Sequence, residues 1–202
     1  QDALRSYFRE MGEMPQLSAE EELDLWKQID ENISQLREAV YQFAFVYDEH
    51  LKLLADPETD FADIFPASSR DNAPLPDNPV SRKEWSARIS AAIGQMRTVY
   101  GVVSRDEFAR LRADGFAILN RHPAVLEKLL EWMDVIDRYL DNFNAERLSA
   151  ADLEQTVLMS VEEIIPLTRR MAELRREIDR WKLRMLETNL RLVINIAKHY
   201  QH

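Results

Sequence analysis

From Ser18 onward the apolar residues Leu23, Trp26, Ile29, Ile33, Leu36 and Val40 recur at steps of three and four. That is the spacing of one helical face, and the pattern predicts an α-helix running on to about Leu54, long enough to bend. Ser18 followed three residues later by Glu21 is a capping-box signature, and Glu20 to Glu22 suit the positive end of the helix dipole. A shorter helix is expected from Ala3 to Met11, broken by "GEMPQL". Five prolines between Asp56 and Val80, with Asp, Asn and Ser among them, end the periodicity and predict a mobile loop over about 56–80. The S-x-x-E signature returns at Ser81/Glu84, Ser104/Glu107 and Ser160/Glu163, with a weaker form at Ser149/Asp152. It predicts helices over about 82–100, 105–121, 124–143 and 150–159, and a last one from about 161. Pro123 fits a first-turn position, and Pro166 is expected in the first turns of the last helix or at a kink.

Four glycines in 202 residues are too few for a fold built on tight hairpins, so the fold class is all-α, a multi-helix bundle. The closing run "LRLVINI" alternates like a strand, but it continues "MAELRREIDRWKLRMLETNL", which is dense in strong helix formers. Read as a helix, its end carries one apolar stripe of Leu183, Leu186, Leu190, Val193, Ile194 and Ala197 and a second of Leu192 and Ile196. Only Arg191, Asn195, Lys198 and His199 remain polar, so two neighbours are needed to cover it. Either other helices of this chain supply both, or one cover lies beyond His202.

Charge narrows the function. With 36 acidic and 26 basic residues the net charge is −10, which disfavours indiscriminate phosphate binding and confines any nucleic-acid contact to a local patch. Residues 168–202 hold nine basic and four acidic groups, whereas residues 1–30 hold three and eight, so the ends are electrically complementary and the middle carries the whole deficit. The absence of cysteine excludes disulfides, thiolate metal sites and thiol catalysis. No apolar run approaches the roughly 20 residues of a membrane span, and "QDALRSYFRE" lacks the features of a signal peptide, so a cytoplasmic protein without membrane attachment is expected. The start at Gln1 suggests a piece of a longer chain.

No histidine follows a Glu by three residues, and phosphate-binding glycine loops, H-E-x-x-H and nucleophile elbows are missing. Glu162 and Glu163 read as dipole partners rather than a catalytic pair, and His122 before Pro123 as a loop residue. No enzyme and no cofactor is expected.

Two motifs carry a resemblance. "DALRSYFREMGEMPQLSAEEELDLWKQID" resembles region 1.2 of bacterial primary sigma factors, with Ala3 at a usual proline and Glu21 at a frequent glycine. "MLETNLRLVINIAKHY" is similar to region 2.1 of the same family, with Asn195 at a frequent serine. Together they cover about a quarter of the chain. The resemblance implies region 1.2 over 1–31, a non-conserved helical insertion over 32–170 and a truncated region 2.1 over 171–202, all in one structural domain. It also implies a transcription initiation factor that binds the β′ clamp of core RNA polymerase and single-stranded non-template promoter DNA. Carried over by position, Arg5, Tyr7, Phe8, Arg9 and Met11 would contact the discriminator, where arginines neutralise phosphates while aromatic and Met side chains stack on unpaired bases. Tyr7, Phe8 and Met11 could equally be core. Glu22, Asn189 and Leu192 would form a pocket for the last flipped thymine of the −10 element, pairing with a base edge and packing on its ring. The alternative for Asn189 is an amide bonded to the region 1.2 helix, and for Glu22 a dipole partner. Leu190, Val193, Ile196, Lys198 and Tyr200 are assigned to polymerase contact or domain packing. If further helices normally cover Leu192, Ile196 and Tyr200, the fragment is expected to self-associate through that end. The competing class is a helical interaction module that regulates or mimics sigma.

Overall fold

The computed structural model describes residues 17–65 and 79–199, with residues 191–199 described by backbone alone. Among the described residues there are eight helices and no strand, which bears out the all-α class. They are α1 (Ala19–Val40), α2 (Ala44–Ala55), α3 (Phe61–Ile64), α4 (Pro79–Val99), α5 (Arg105–Leu119), α6 (Leu126–Asn144), α7 (Ala150–Val157) and α8 (Val161–His199). The chain divides into two compact units, one comprising Gln1–Gln35 with Ala172–His202, the other Leu36–Met171.

In the first unit the buried apolar residues among those described are Leu25 and Ile29 on α1 and Leu174 and Ile178 on α8. Each pair is spaced i, i+4, so each helix buries one narrow strip, and each such side chain contributes roughly 1.5–3 kcal/mol relative to exposure. Leu23 and Trp26, expected on the buried stripe, are instead 55% and 58% exposed. Leu23 stands at least about 120° around the helix from Leu25 and Ile29, and Trp26 about 60–100°, and a narrow strip does not reach them. Of the predicted stripe on α8, Leu183, Leu186 and Leu190 are exposed, and the side chains of Val193, Ile194 and Ala197 lie outside the described residues.

The second unit has a denser core. The single long helix expected from Ser18 to about Leu54 is two helices, α1 and α2. Gln42 N donates to Ala39 O and Phe43 N to Val40 O, a tightening to i+3 bonds that ends α1, and Phe43 is extended (φ −83°, ψ 127°) as the N-cap of α2. The break turns both Tyr41 and Phe43, each 0% exposed, into the core, where an uninterrupted helix would set them about 200° apart. The Tyr41 hydroxyl accepts from Ala124 N (2.9 Å), and Val125 N donates to Ile64 O (2.9 Å). These bonds hold residues 124 and 125 outside the helix, so α6 starts at Leu126 and Pro123 precedes its first turn instead of occupying it.

The stretch expected to be a mobile loop is anchored in part. Asp60 caps α3 by accepting from Ala62 N (3.0 Å), Phe61 and Phe65 are buried, and the Arg82 guanidinium lies 3.8 Å from the centre of the Phe61 ring. Residues 66–78 lie outside the described residues. α4 begins at Pro79, whose missing N–H suits the first helical position, so Ser81 lies inside the helix and is not its cap. The capping expectations at Ser104, Ser149 and Ser160 hold: Ser104 Oγ accepts from Glu107 N (3.3 Å), Ser149 Oγ from Asp152 N (3.1 Å), and Ser160 N donates to Glu163 Oε2 (3.1 Å). α8 runs through Pro166 without interruption.

Around His50 the core is aromatic. Tyr41, Phe65, Trp85 and Trp132 stand 5.3, 5.5, 5.8 and 4.9 Å from its ring centre. His122 is a loop residue as expected, yet it is only 7% exposed and its ring packs on Trp85 at 4.6 Å. On α5, Gly115 faces Tyr47, and an added Cβ there would collide with the Tyr47 hydroxyl.

Candidate nucleic-acid interface

The capping box at the start of α1 is reciprocal. Ser18 N donates to Glu21 Oε2 (2.7 Å), and Glu21 N donates to Ser18 Oγ (3.2 Å), so two of the free amides at the helix start are satisfied. Hydrogen bonds from the Ser18 amide and hydroxyl, with the Arg184 guanidinium as a lesser contributor, hold the Glu21 carboxyl below its ordinary range. With its start fixed in this way, α1 carries Glu22 exposed at the following position.

α8 supplies the opposite wall. Its buried strip of Leu174 and Ile178 continues at the half-buried Trp181. A cleft of about 160 Å³ opens between the two helices, lined by Leu17, Glu21, Asp24, Leu25 and Gln28 on one side and Trp181 and Arg184 on the other. Asp24 is itself paired to Lys27 Nζ (3.2 Å). Arg176, Arg180, Lys182 and Arg184 are exposed along α8, interspersed with the exposed Glu173 and Asp179.

Of the residues singled out from sequence, Glu22 and Asn189 are both exposed, on the two helices that share the cleft. Leu190 is 38% exposed. The backbone of Leu192, Val193, Ile196 and Lys198 is helical within α8, and their side chains lie outside the described residues. Arg5, Tyr7, Phe8, Arg9, Met11 and Tyr200 also lie outside the described residues. Sequence reasoning passed over Trp181 and Arg184, which sit in a run of charged residues that reads as a solvated face; only the fold sets them opposite Glu21. No helix among the described residues is long and apolar enough to cross a membrane.

Residues 2–31 match the family model for sigma-70 factor, region 1.2. The match spans the capping box, Glu22 and the α1 side of the cleft. It supports a sigma-70 family member and suggests a sigma-factor-like role in transcription.

Proposed function

We propose that this chain is part of a primary-type sigma factor, in which α1 and α8 bring regions 1.2 and 2.1 together and Leu36–Met171 is the helical insertion between them. The region 1.2 match over residues 2–31 carries the proposal. Support comes from the division of the structure, since the unit formed by the two chain ends holds both motif segments and the unit of Leu36–Met171 holds neither.

In this reading the protein binds the β′ clamp of core RNA polymerase and engages the non-template strand once it is single-stranded. Arg5 and Arg9 neutralise discriminator phosphates, while Tyr7, Phe8 and Met11 meet unpaired bases. Glu22 and the Asn189 amide take the edge of a flipped thymine, and Leu192 packs against its ring. The role is recognition and strand capture, with no covalent chemistry. The net charge of −10 fits a factor that depends on the polymerase for DNA engagement and does not coat DNA alone.

The test is capture of core RNA polymerase by the protein, followed by crosslinking to a −10 and discriminator oligonucleotide. Arg5→Ala and Arg9→Ala are expected to weaken crosslinking at the discriminator and to flatten its salt dependence, and Glu22→Gln to lower the preference for thymine. Failure to capture core polymerase, or crosslinking indifferent to all three substitutions, sinks the proposal. The second reading, an interaction module that regulates or mimics sigma, draws on the exposed Leu183, Leu186 and Leu190, a surface suited to a protein partner. It predicts polymerase capture with no base preference.

A further inference from the structure

We propose that Glu21 is a positioning residue which, through Arg184, ties the start of α1 to α8 and so sets Glu22 against Asn189. The proposal rests on the reading of those two residues as halves of a base pocket. The capping box engages Oε2 of Glu21 through the Ser18 amide, leaving Oε1 for a second partner. Arg184 is the cation that lines the same cleft from the other helix. Glu22 is the next residue along α1, about 100° around it from Glu21, and Asn189 lies five residues past Arg184, about 7.5 Å along and about 140° around a rigid helix. Attraction between Glu21 and Arg184 across this cleft therefore bears on the separation and rotation of the two base-reading groups at once.

The bland account is that Glu21 only caps its own helix. The two differ in what glutamine does at this position. A capping box accepts Gln as well as Glu, so Glu21→Gln keeps the cap and deletes only the charge that meets Arg184. Exposed ion pairs are weak, so the effect is expected to be small, between about two- and five-fold in base preference, and to fade as salt is raised.

The experiment uses the protein bound to core RNA polymerase and measures affinity for a single-stranded −10 oligonucleotide carrying either thymine or an abasic site at the flipped position. Glu21→Gln and Arg184→Gln are each expected to reduce the preference for thymine by about two- to five-fold at low salt, and the double variant no further, which is the signature of a coupled pair. Affinity for the abasic oligonucleotide and the thermal midpoint should stay at wild-type values. Additive losses, equal losses on both oligonucleotides, or no loss in Glu21→Gln overturn the proposal. Glu22→Gln serves as the control for the pocket itself. If it leaves the preference intact, the base-pocket reading fails and this proposal falls with it; if it abolishes the preference while Glu21→Gln does nothing, only the positioning role is lost.

Discussion

Acidification from pH 7 to pH 5 should destabilise the second unit through His50, and the size of the effect follows from its surroundings. The ring is fully buried among Tyr41, Phe65, Trp85 and Trp132. Its Nδ1 lies 2.8 Å from Val46 O, so Nδ1 carries the proton and donates, leaving Nε2 buried without a hydrogen-bond partner. A proton added at Nε2 would create a cation with no acceptor in an apolar site, and burial accordingly lowers the imidazole from its ordinary 6.5 to about 4. The folded chain therefore stays neutral at His50 while the unfolded chain takes up a proton below pH 6.5. Stability is complete above that value and is lost as pH falls towards 4. Linkage between these two values gives a loss of about 2 kcal/mol at pH 5. Urea unfolding of the wild type and of His50→Phe, at pH 7 and pH 5, measures it directly. The substitution keeps an aromatic ring and removes the titration, so the wild type should lose about 2 kcal/mol more than the variant. His122, also pushed below its ordinary value by burial, titrates in both proteins and cancels in the difference. An equal pH dependence in the two proteins would refute the reasoning.

Gly115→Ala should cost about 1–3 kcal/mol, read as a lowered thermal midpoint, because its Cβ meets the Tyr47 hydroxyl; Tyr47→Phe removes a buried oxygen that has no partner and should recover part of the loss. Ser18→Ala removes one half of the capping box and should weaken the α1 terminus by about 1 kcal/mol, seen as faster amide exchange at Glu21 and Glu22 with little change in the second unit. If the open stripe on α8 drives association, light scattering of this 202-residue chain should show mass rising with concentration, and Leu183→Gln with Leu186→Gln should suppress the rise. A wild-type monomer at every concentration would assign that stripe no role in self-association.

What could be read from sequence alone was local. Capping signals at Ser18, Ser104, Ser149 and Ser160 involve atoms three residues apart, and the helices from 19, 105, 150 and 161 begin where those signals place them. The start of α4 at Pro79 was equally local, and the Ser81 signature misled because the proline preceded it. Glu22 and Asn189 are proposed as site residues from two motifs near opposite ends of the chain. The tertiary structure decided everything that depends on a neighbour. Periodicity offered Leu23 and Trp26 as core, but the strip that α1 buries in the first unit runs through Leu25 and Ile29. No glycine or proline marks the break at Tyr41–Phe43; it exists because two aromatic side chains must both reach the core and Tyr41 must meet Ala124, 83 residues away. The burial of His50 has the same origin, as does the placing of Glu21 beside Arg184, because helix periodicity states which residues share a face and only the packed chain states what that face meets.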